Sequence, residues 1–144
     1  MKRELLEDLG GFDEERLPYL YEDLDLAYRA RGRGFRLLYN REAEVEHLRE
    51  MDLDYWRRKM PRLAAAERTF VELHPDFPPY FYEMFTAALG RPPSSGRLRH
   101  LIKRVPRSLP VLGWLAWDSA DRYYGQALGS DFIAAWRALD APPV

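Results

Sequence analysis

The chain has 144 residues, 47% hydrophobic and 31% charged, with a formal net charge of -1 and no cysteine. That balance excludes a disordered polyelectrolyte, and the missing cysteine excludes disulfides, thiolate metal sites and a cysteine nucleophile. The near-zero net charge gives no field for nucleic acid, and no known nucleic-acid motif accompanies the one basic stretch, so no nucleic-acid partner is expected.

Met1 to Gly10 is charged and lacks an apolar h-region, so no signal peptide is expected, and no apolar run is long enough for a transmembrane helix. A cytoplasmic, at most membrane-peripheral, location is the expectation. Charge is uneven along the chain. Residues 1–50 hold nine Lys/Arg against thirteen Asp/Glu, and the remainder thirteen against ten.

Lys2 to Leu9 reads as a short helix, with Leu5, Leu6 and Leu9 at helical spacing and Gly10-Gly11 as its stop. Glu22 to Arg31 is the second helix, acids first and arginines last as the helix dipole favours. Asp25 and Arg29 form an i,i+4 surface pair. Residues 35–39 and 43–48 read as two short strands, with Ala43, Val45 and His47 on one face. Two such strands bury little, so they are expected to complete a sheet whose other members lie elsewhere. An uncovered edge would need dimerisation or a partner chain.

Asp52 caps a long helix to about Leu73. Pro61 either kinks it or divides it in two. His74 to Pro79 breaks the chain, and Tyr80 to Leu89 is helical up to Gly90. The RPPSSG sequence, Arg91 to Gly96, is the linker candidate. It divides a unit of residues 1–90 from a helical extension, 91–144, whose helices are expected at 97–105, 109–124 and 131–139, with Gly129 separating the last pair. The predicted fold class is therefore mostly α with a small β element at 35–48.

Arg91 to Trp117 carries six basic residues and no acid. The stretch 97–117 is either a peripheral membrane contact, or a solvated helix face followed by a core helix. Trp114 and Trp117 sit at the helical spacing of core residues.

Gly10-Gly11-Phe12-Asp13-Glu14, then Glu22-Asp23, Asp25-Leu26, Arg29, Gly34-Phe35-Arg36, Glu42-Ala43 and His47 follow one another in a specific order. That series resembles the second half of the catalytic domain of family 2 inverting glycosyltransferases with the GT-A fold. The resemblance covers about a third of the chain. It implies transfer of a sugar from a nucleotide-sugar donor to a glycan or lipid-linked acceptor, in cell-envelope polysaccharide chemistry. It also implies that the nucleotide pocket and the Asp-x-Asp motif lie outside these residues, so the chain alone is expected to be inactive.

Residue by residue, the resemblance makes Asp23 the general base. Glu22 either orients the acceptor or bonds to backbone. Tyr21, with Tyr19, lines the same cleft, and Trp56, with Tyr55, is an acceptor-side aromatic. His47 is the candidate ligand for Mn²⁺ or Mg²⁺, which the complete enzyme would use against the diphosphate. His74 and His100 have no ligand-like neighbours in sequence. The competing expectation is a non-catalytic helical interaction module, or a degenerate remnant that keeps the local shape.

Overall fold

The computed structural model describes residues 2–36, 38–46, 48, 51–93 and 110–140, with side chains in the last stretch from 118 onward. Its described residues form five helices: α1 (Arg3–Asp8), α2 (Glu22–Arg31), α3 (Leu53–Leu73), α4 (Tyr80–Leu89) and α5 (Pro110–Leu139). The expected helix at 97–105 lies outside the described residues.

The expected β element is corrected: no strand occurs among the described residues, and the fold is all-helical. Residues 38–46 hold a turn at Arg41-Glu42 and no other regular structure, with Glu42 N donating to Asn40 Oδ1 at 3.0 Å. A two-stranded ribbon is marginal in water without further strands or a helix beneath it. Nothing covers this one: Leu38, Tyr39, Val45 and Leu48 are 77–92% exposed. The described residues thus do not form a GT-A α/β architecture.

Helix α1 ends where Gly10 and Gly11 take φ of +77° and +70°, a conformation that disfavours other residues. Asp52 caps α3, its Oδ1 accepting from Tyr55 N at 2.6 Å. Pro61 lies within α3 without dividing it. Pro61 and Arg57 both face solvent, so the Arg57 carbonyl that loses its helical donor is on the side open to water. Gly129 likewise does not interrupt the chain's last helix, because α5 is continuous. A glycine costs a helix only about 1 kcal/mol, less than the packing on its flanks contributes.

Helix α5 packs against both α3 and α4. Met60, Leu63, Ala64 and Phe70 of α3, Phe85 of α4, and Phe132, Ile133 and Trp136 of α5 form one buried cluster that also takes in Leu17 and Tyr21. The core therefore draws on residues from both sides of the RPPSSG stretch. No helix among the described residues is long and apolar enough to cross a membrane.

Candidate functional site

The start of α2 sits on a buried clamp. Tyr21, its N-cap, has φ +71°, which a tyrosine rarely adopts and which costs on the order of 1–3 kcal/mol. Its ring is buried, 4.9 Å from the Phe70 ring and 6.5 Å from Phe81. Its hydroxyl donates to Glu67 Oε1 at 2.7 Å. Glu67, 1% exposed, also accepts from Phe81 N at 2.7 Å and Tyr82 N at 2.9 Å, two of the unpaired amides at the start of α4. Burial, and secondarily the Glu67 hydrogen bond, push the Tyr21 phenol well above its ordinary range.

A second buried carboxyl fixes the other side of α2. Asp25 is 2% exposed, which corrects the surface pair expected with Arg29. Its Oδ2 accepts from Arg29 Nε at 2.9 Å, and its Oδ1 lies 2.8 Å from His74 Nε2. The Arg29 guanidinium donates onward to the carbonyls of Leu9 and Gly11, tying the end of α1 to α2. His74, which showed no partner in sequence, stacks 4.1 Å from Tyr28.

Between these two anchors the two acids of the motif differ in exposure. Asp23 is exposed, and its Oδ1 accepts from Leu24 N at 2.8 Å. Glu22 is half-buried, and its Oε2 is buried with no hydrogen-bond partner among the described residues. Asp23 borders a cleft of about 1370 Å³ bounded by the start of α2, the first half of α3, α4 and the middle of α5. Tyr21 and Trp56 line the same cleft, so three of the sequence candidates are brought together. Glu22, Tyr19 and Tyr55 are not among its walls. Lys59 lies over the rings of Tyr19, Tyr55 and Trp56, at 5.8, 4.7 and 5.6 Å from their centres.

His47 and His100 lie outside the described residues, as does the basic stretch 97–109 of the expected membrane contact. The side chains of Trp114 and Trp117 also lie outside them. No group of three or more His, Cys, Asp or Glu suited to a metal occurs among the described residues. They do not assemble a donor set for Mn²⁺ or Mg²⁺.

Glu67 was not singled out from sequence, although it left a signal. It falls on the stripe Met60, Leu63, Ala64, Glu67 and Phe70, where an acid among core positions needs buried partners. No family model, curated protein or solved structure matches the chain.

Proposed function

We propose that this chain supplies the acceptor side of an inverting sugar transfer, with Asp23 as the general base and the nucleotide-sugar site provided from outside these residues. The supporting observation is that Asp23, Tyr21 and Trp56, candidates that rest on the family resemblance, border one cleft. The Asp23 carboxyl lies at its rim, on a helix start held rigid by Tyr21–Glu67 and Asp25–Arg29.

In the proposed step an acceptor hydroxyl enters from the cleft. Asp23 takes its proton as the oxygen attacks the anomeric carbon from the face opposite the nucleotide. The new C–O bond forms as the bond to the diphosphate breaks, and the nucleoside diphosphate leaves with the electron pair. The proton ends on Asp23. Trp56 offers an apolar ring face against which the C–H face of a sugar can rest.

The test is nucleoside diphosphate release from a panel of nucleotide sugars with Mn²⁺. The chain alone is expected to give no binding heat and no release. Joined to a donor-binding half, Asp23→Asn is expected to lower kcat by about 10²- to 10⁴-fold with little change in acceptor KM. Saturable donor binding by the chain itself, lost in His47→Ala, would overturn the division of labour. Undiminished turnover in Asp23→Asn would remove Asp23 from the chemistry.

The second reading, a non-catalytic helical interaction module, is favoured by the exposed Leu38, Tyr39, Val45 and Leu48. It requires that Leu38→Ser/Val45→Ser abolish binding to a partner chain while Asp23→Asn has no effect on anything.

A further inference from the structure

We propose that the cleft beside Asp23 holds a long aliphatic chain, so that the acceptor is an amphiphile with an uncharged, hydroxyl-bearing head. The role of the head rests on the reading of Asp23 as base, whereas the binding of the chain does not.

Size is the first argument. About 1370 Å³ exceeds the roughly 300–1,000 Å³ of ordinary small-molecule sites. The walls are the second. Leu24, Leu53, Met60, Met84 and Leu128 line the cleft, and unbranched methionine side chains adapt to a flexible chain better than to a rigid polar ring.

The polar groups are the third argument. Tyr21 donates to Glu67, Asp52 caps α3, Arg122 pairs with Asp118 at 2.8 Å, and Lys59 lies over three rings. A glycan or an extended peptide would lose water from many hydroxyls or amides and find these partners already engaged, at a cost for each unpaired group. An aliphatic chain needs no partner. Charge is the fourth. Among the described lining residues, Asp23, Asp52 and Asp121 are matched by Lys59, Arg91 and Arg122, so these residues offer no excess cation to an anionic head. Asp23, at the rim, is an acceptor for a hydroxyl at the end of the chain.

The experiment titrates the 144-residue chain with maltose and with octyl, decyl and dodecyl maltoside, each below its micelle concentration, by calorimetry. Maltose is expected not to bind. Kd is expected to fall about fourfold per added methylene, the effect of burying one CH₂ at about 0.8 kcal/mol. Ala87→Trp and Met84→Glu change exposed residues of the cleft wall, so folding should survive, and each is expected to weaken dodecyl maltoside at least tenfold at unchanged melting temperature.

Binding that does not depend on chain length, or that both wall variants retain, would overturn the proposal. So would a dimer in sedimentation that Met84→Glu dissociates, since the cleft would then belong to a second copy. In the donor-bearing protein, maltose used as efficiently as dodecyl maltoside would overturn the amphiphile while leaving Asp23 in place. Dodecyl maltoside bound but never glycosylated would instead count against Asp23, with the aliphatic cleft intact.

Discussion

The Tyr21 hydroxyl and Glu67 Oε1 meet in a buried hydrogen bond of 2.7 Å across 46 residues of chain. Tyr21 immediately precedes the two acids at the start of α2, and Glu67 holds the first amides of α4 with the same carboxyl group. One side chain thus sets two of the helix starts that border the cleft, those of α2 and α4.

Glu67→Ala should be among the most damaging substitutions in the chain. It leaves a phenol and two amides buried without an acceptor, and about 3–5 kcal/mol of stability is expected to go. Glu67→Gln keeps one acceptor oxygen and should lose about 1–2 kcal/mol, and Tyr21→Phe about 1 kcal/mol. Urea unfolding reads all three. A Glu67→Ala loss below that of Tyr21→Phe would show that Glu67 does not organise these helix starts.

The acids of α2 should separate cleanly. Asp25→Ala removes the buried carboxylate shared by Arg29 and His74 and leaves the guanidinium with the carbonyls of Leu9 and Gly11, at about 3 kcal/mol. Asp23→Asn changes an exposed carboxyl and should stay within about 0.5 kcal/mol. Equal losses in the two would contradict the burial of one and the exposure of the other.

Helices α4 and α5 touch at glycines. A Cβ at Gly125 would lie 3.0 Å from Ala88 Cβ, and one at Gly129 3.3 Å from two atoms of Phe85. Ala88 Cβ is fixed to its backbone, so the helices must move apart. Gly125→Ala gains about 1 kcal/mol of helix propensity but loses about 1–3 kcal/mol to overpacking. A net destabilisation of about 1 kcal/mol is expected, relieved when Ala88→Gly is added. Stabilisation by Gly125→Ala in thermal melting would mean that this contact is looser than the geometry indicates.

Tyr28 donates to Asp76, and that hydrogen bond raises the phenol and lowers the carboxyl from their ordinary ranges. For Asp76, with a depressed folded value, the contribution is present above the unfolded pKa of about 4 and fades as pH falls through the lower folded value. For Tyr28, with a raised folded value, it is present below about 10 and fades as pH rises through the higher folded value. Phenolate absorbance should therefore show Tyr28 ionising at lower pH in Asp76→Ala than in the parent, with Tyr28→Phe identifying its signal. An unmoved titration would remove the bond.

Local chemistry in the sequence marked much of the helical content. The dipole-matched charges of α2, the Asp52 cap and the glycine after α4 predicted those helices close to their observed bounds. At Pro61 the single helix is the alternative that holds, while Gly129 misled, because a glycine's cost of about 1 kcal/mol is local and helix continuity depends on packing along the whole face. The strands at 35–48 misled because alternation states which faces a strand would have. It does not state whether another strand exists to pair with it.

By itself the sequence determined where α1 to α4 form, that no cysteine chemistry is available, and, through the family resemblance, that Asp23, Tyr21 and Trp56 are worth testing together. Only the tertiary structure decided that Asp25 is buried while Asp23, two residues away, is exposed. It alone decided that Glu67 and His74 hold α2 in place, and that a large apolar cleft lies beside Asp23. The reason is range. Propensity, capping and dipole effects act within a turn or two of helix, whereas burial and hydrogen bonds such as Tyr21–Glu67 depend on residues that only folding brings together.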